Sequence, residues 1–201
     1  LLDSPGYPPA IRSMEGLLGT LFNQEGSEAL GFRQQIGELL EPHYLEREDW
    51  PRLIGVLDVR FQDAEGVTTR VALLQQIAEV QELKLRDPGR AFATLCQALA
   101  LDFGNQEVSL ELDRLAEELN AWDRLINVYI DGLDGIEEPA IAVGMLLKLA
   151  QIFDQRLHHV PNAVECYRRL LTLEEGHPEA LDALERLYSQ AGAHERLVEV
   201  L

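Results

Sequence analysis

The sequence predicts an all-α solenoid of antiparallel helical hairpins, and three observations carry that prediction. Val143 to Leu201 overlays Val71 to Tyr129 without a gap at a constant offset of 72 residues, which marks a repeat array. In both copies the apolar residues recur at steps of three and four, the period of one helix face. Leu73, Ile77 and Val80 add a second apolar stripe beside Val71, Leu74, Ala78, Gln81 and Leu85. Two stripes are expected of a helix packed between its hairpin partner and the next repeat.

Composition is consistent with such an array. The chain has 201 residues, of which 46% are apolar, enough for a continuous core in which neighbouring repeats stabilise each other. Asp and Glu number 35 against 17 Lys and Arg, a formal charge of -18. That charge repels phosphate backbones and anionic headgroups, so nucleic acid and membrane surfaces are not expected as partners. It favours a basic peptide or protein, and it equally suits a merely soluble outer surface. Cys96 and Cys166 fall at different positions of the repeat, so no disulfide framework is expected. No apolar run approaches the roughly 20 residues of a membrane span, and no basic region precedes an apolar one at the N-terminus. The chain starts without Met and stops inside a helical pattern, so it is expected to be a piece of a longer protein. A signal peptide upstream is left open, with the cytoplasm favoured.

Taken in order, residues 1–9 are rich in Pro and Gly and read as a linker or arm. Ile11, Met14, Leu17, Leu18 and Leu21 mark a first helical face, weakened by Gly16 and Gly19. A turn over 23–26 leads to Ser27 as N-cap of a helix carrying Leu30, Gln34, Ile36, Leu39 and Leu40. Pro42 interrupts it, and the repeat register predicts a kink there with helix continuing to Arg47. Asp49 caps the next helix, Trp50 to Phe61, with Pro51 in its first turn. Residues 10–66 thus form degenerate N-terminal repeats.

Residues 67–201 carry the clear repeats, two 72-residue units of two hairpins each, the last one truncated. After the Val71 helix, Asp87 and Pro88 cap a helix that buries Ala91, Phe92, Leu95, Ala98 and Leu99. A third helix carries Val108, Leu112, Leu115 and Leu119 and ends at Asn120, where a left-handed residue is wanted. Trp122 to Leu133 follows, the link over 131–139 closes the unit, and the cycle restarts from Val143. Gly192 takes the place of Asn120, and the last helix starts at His194, leaving Leu197, Val198, Val200 and Leu201 uncovered. Trp50, Trp122 and His194 keep the 72-residue spacing, and the two indoles are expected to wedge into their hairpins.

The first hairpin of each unit resembles the tetratricopeptide repeat (TPR) family. Small Ala78 and Ala150 lie midway along the first helix, aromatic Phe153 follows, small Ala91 and Ala163 open the second helix, and bulky Leu95 or Tyr167 sits four further on. Small residues let two helix axes approach, and the large one fills the gap beside them. Three departures stand out. The small-to-small step is one residue wider than the usual motif, Gln81 replaces the aromatic in the earlier copy, and Asp113 and Glu185 stand where the second hairpin would carry a small residue. The resemblance implies a right-handed αα-superhelix whose first helices line a concave groove.

Carried over by register, that groove falls on Glu79, Glu82 and Leu83, then Glu107, Leu110, Arg114, Glu117 and Glu118, then Gln151, Asp154 and Gln155, then Glu179, Asp182 and Arg186. Its acids suit a basic, extended or helical segment of a partner protein. The family's terminal-carboxylate clamp uses Lys and Asn, and no Asn stands at the matching positions Glu79, Arg114, Gln151 and Arg186.

No motif for catalysis or metal binding emerges. His158 and His159 are adjacent and diverge, which suits a cationic C-terminal turn better than chelation. Asp131, Asp134, Glu137 and Glu138 lack the alternate spacing of an EF-hand. No Gly-rich phosphate loop or paired nucleophile and base occurs. The expectation is therefore a non-catalytic interaction scaffold without cofactor, from a large multi-protein assembly of bacterial character. The alternatives are the regulatory or sensor part of a larger signalling protein or enzyme, and an architectural spacer or self-associating array.

Overall fold

The computed structural model describes residues 8–21 and 27–190. Of the arm expected over 1–9, residues 1–7 lie outside the described residues, as do the turn at 23–26, the Gly192 cap and the helix from His194, whereas Pro8 and Pro9 already belong to the first helix. Two compact units divide at Asp102 and Phe103. The first holds α1 (Pro8–Leu21), α2 (Ser27–Glu46), α3 (Trp50–Asp63), α4 (Val67–Glu79) and α5 (Pro88–Leu101). The second holds α6 (Gln106–Leu119), α7 (Trp122–Leu133), α8 (Pro139–Gln151), α9 (Val160–Leu173) and α10 (Pro178–Gln190). No strand occurs among the described residues, and within each unit each helix packs on the next. The fold is all-α, a succession of helical hairpins.

Local chemistry explains why the elements recur at 72 residues. Asp87 accepts the Arg90 N–H at the start of α5, and His159, the matching residue, accepts the Asn162 N–H at the start of α9. Asn105 accepts the Val108 N–H below α6, and its match His177 accepts the Ala180 N–H below α10. Chain reversals repeat as well: Glu48 and Asn120 form one pair with positive φ, 55° and 50°, and Arg86 and His158 another, 55° and 51°. The left-handed ending expected at Asn120 is present. In α2 the helix runs through Pro42 to Glu46.

One local feature was not read from the sequence. Between α4 and α5 the helix widens into a π turn, Val80–Lys84, and between α8 and α9 into another, Ile152–Arg156. A π turn accommodates one residue more than an α turn. It explains how Ala78 and Ala91, and Ala150 and Ala163, keep a small-to-small step one residue too wide and are all buried.

Each unit has its own core. Leu40, Leu53, Leu57, Ile77, Phe92, Leu95 and Leu99 fill the first, and Leu112, Leu115, Leu125, Met145 and Tyr167 the second. Gln81 in the first unit spends its polarity on the Thr94 hydroxyl, which donates to Gln81 Oε1 at 2.8 Å. The matching positions in the second unit are Phe153 and Cys166. One polar pair has been exchanged for an apolar one, which satisfies the rule that buried polar atoms need partners.

Candidate partner-binding faces and the cleft of the second unit

The exposed faces of the helices place the register-derived residues unevenly. In the first unit Glu79 and Leu83 are exposed and Glu82 is half-buried. In the second, Glu107, Leu110, Arg114, Glu117 and Glu118 line the open side of α6, and Glu179, Asp182 and Arg186 that of α10. Gln151 is half-buried, and its side-chain N–H donates to Glu179 at 2.7 Å. Gln155 is exposed.

Asp154 behaves differently from an exposed groove acid. It is 8% exposed, paired with Arg186, and sits inside the π turn after α8. The extra residue of that turn advances the helical register, so a step of three or four carried past Ala150 points Asp154 inward. Glu82 occupies the same place in the first π turn and is also partly covered.

Most basic groups near these faces are engaged by the chain's own acids. Arg114 lies 3.7 Å from Glu118, Arg156 lies 3.6 Å from Glu117, and Lys148 is paired with Asp113. Arg156 also lies over the Trp122 ring at 5.2 Å, as Lys84 lies over Trp50 at 5.1 Å in the first unit. These two contacts are related by the repeat: the cation comes from the π turn and the ring from the helix that opens after a left-handed residue. Trp122 is buried and Trp50 half-buried, and each ring meets a cation of the following hairpin.

A cleft of about 470 Å³ opens between α6 and α8. Phe103, Leu110 and Tyr129 form one side and the floor, and Ala140, Ile141, Gly144 and Leu147 form the other. The Ser109 and Tyr129 hydroxyls lie 3.2 Å apart at its base, and Lys148 and Gln151 close one end. Leu110 and Gln151 belong to the register-derived set, whereas Ile141, Gly144 and Leu147 were not picked out. A signal for them existed: the residues 72 positions earlier are Thr69, Ala72 and Gln75, with Glu38 matching Leu110, so polar residues give way to apolar ones at three of these four sites.

The imidazoles show why adjacency misled. His158 follows the π turn, and its Nδ1–H donates to the Asp154 carbonyl at 3.1 Å, in keeping with a place at a C-terminal turn. His159 instead caps the following helix. Among the described residues no group of three or more His, Cys, Asp or Glu is placed to hold a metal ion, and no helix is long and apolar enough to cross a membrane.

Burial tunes two ionisable groups on α9. It pushes the Cys166 thiol up to about 11, with the Glu165 charge adding to the rise and Arg169 opposing it. It pushes the Tyr167 phenol up to about 12, with Asp154 adding to the rise. Both folded values exceed the unfolded ones, so the fold's preference for the neutral forms acts fully at neutral pH. That preference is lost as pH rises, through about 11 for the thiol and about 12 for the phenol. In a Cys96→Ser variant, iodoacetamide should alkylate folded Cys166 slowly at pH 8, with the rate rising steeply only toward pH 11. In urea the same rise should come near the ordinary thiol value of about 8.5.

Fold and faces together define an all-α chain of successive helical hairpins with charged side chains on the open sides of its helices. No family model matches the chain, and no curated protein matches it by sequence. Among solved structures, one described as that of MamA protein is similar over 85% of this chain and 88% of that one, with 15% identity and a TM-score of 0.46.

Proposed function

We propose that the protein is an interaction scaffold that holds a basic segment of a partner protein against the acidic open faces of its first helices. The observation that supports this most directly is the fate of the basic side chains there. Arg114 and Arg186 sit beside Glu118 and Asp154 of the same chain, while Glu79, Glu107 and Asp182 stand on exposed surface. The faces are left with a negative field that would steer and retain a cationic segment. The helices supply a rigid frame, so binding costs little ordering on this side.

The test separates local acids from overall charge. A fluorescein-labelled lysine-rich peptide should bind the wild-type protein with an affinity that falls as salt rises. Glu107→Lys with Asp182→Lys, both in the second unit, should weaken it at least about tenfold, roughly 1.4 kcal/mol. Reversing the loop acids Glu65 and Asp134 should change it far less. Equal losses in both double variants, or an affinity insensitive to salt, would show that the helix faces play no particular part.

A further inference from the structure

We propose that the cleft between α6 and α8 receives one leucine- or phenylalanine-sized side chain of the partner's basic segment, which makes it the anchor point of the second unit. The proposal rests on the partner-binding role above and adds to it a single apolar contact that charge alone does not supply.

The repeat itself provides the comparison. At the positions 72 residues earlier the chain carries Glu38, Thr69 and Gln75, and the cleft carries Leu110, Ile141 and Leu147. A solvated surface gains nothing from those changes, and Leu110, at 69% exposed, is the most exposed of the large apolar residues among the described ones. Ile141 and Leu147 are half-buried beside it, and apolar residues that converge on one concavity mark a contact surface, whereas scattered ones do not.

Gly144 points the same way. Glycine is a poor residue for a helix interior, yet a Cβ at Gly144 would meet no atom within 4 Å. Its backbone forms cleft wall, and the space in front of it is open. Packing of the fold does not require a glycine here, and its lack of a side chain leaves the cleft open at this point. Contrast Gly132, where an added Cβ would lie 2.2 Å from Phe103 and the fold itself demands glycine. The volume of about 470 Å³ lies within the usual range of ligand clefts, about 300–1,000 Å³.

Charge selects the flanks of the anchor. Glu107 is exposed one residue beyond Gln106 of the cleft, and Glu179 is held at the other end by Gln151. The one ammonium at the wall, Lys148, is paired with Asp113. An apolar side chain flanked by lysines or arginines therefore fits, and an acidic segment is repelled.

The experiment uses fluorescein-labelled peptides sharing one lysine-rich frame and differing only in a central Ala, Leu or Phe. The Leu and Phe peptides should bind wild type about tenfold more tightly than the Ala peptide. Two variants alter the cleft without disturbing the core: Gly144→Leu fills it, and Leu110→Glu with Leu147→Gln restores the polar residues found 72 positions earlier. In both, the preference for Leu and Phe should vanish while the salt dependence and the melting temperature stay close to wild type. A wild-type protein that binds all three peptides equally overturns the anchor and leaves the acidic-face reading standing. A preference that survives in both variants places the anchor elsewhere and also overturns it. Absence of binding by every peptide overturns both.

Discussion

Trp122→Ala is expected to destabilise the second unit by about 3–5 kcal/mol, the loss typical of truncating a buried aromatic. The indole is 5% exposed at the first turn of α7, and its ring lies under the Arg156 guanidinium. Truncation removes a buried aromatic surface and releases the cation of the π turn that lies over it. The same change at Trp50 should cost less, because that ring is half-buried. Urea denaturation followed by circular dichroism measures both. The cation's own share is expected to be about 0.5–1 kcal/mol, read from a double-mutant cycle with Arg156→Met. A midpoint for Trp122→Ala equal to wild type would refute the wedge.

Asp63→Ala is expected to cost about 3–5 kcal/mol, because it strands the guanidinium of Arg33. Arg33 donates to both carboxylate oxygens of Asp63, at 2.9 and 2.7 Å, and to the Leu21 carbonyl at 3.1 Å. The side chains are 13% and 6% exposed, so water can replace little of the lost partner. Asp63 is also the last residue of α3, a place where a carboxylate is unfavourable against the helix dipole unless a cation offsets it. Replacing both residues, Arg33→Met with Asp63→Leu, should recover most of the loss, since no unpaired charge is left. Recovery is read from the same denaturation curves, and a double variant no more stable than Asp63→Ala would show that the pair contributes more than mutual neutralisation.

Helix type and boundaries were legible because they rest on local chemistry. The Asp49 and Asp87 caps, the prolines at the helix starts and the left-handed Asn120 act within a few residues, and the structure has each where its spacing indicates. The 72-residue period carried this reading from one copy to the other, down to the start residues of α4 and α8. The repeat also exposed an anomaly, the small-to-small step one residue too wide, whose physical meaning is the π turn.

What the residues alone determined is thus the all-α class, the hairpin succession and the acidic, helix-borne surface, all consequences of periodicity, capping and charge that need no distant contact. Tertiary structure decided the rest. It paired Arg33 with Asp63, 30 positions apart and absent from the second copy, where Asn105 and Gly135 stand. It turned Asp154 inward, because the wide turn shifts the register on which its exposure was read. It also brought Leu110 of α6 to Ile141 and Leu147 of α8 around one cleft. Those outcomes depend on which faces of separate helices meet, and steps of three and four along a single helix do not contain that information.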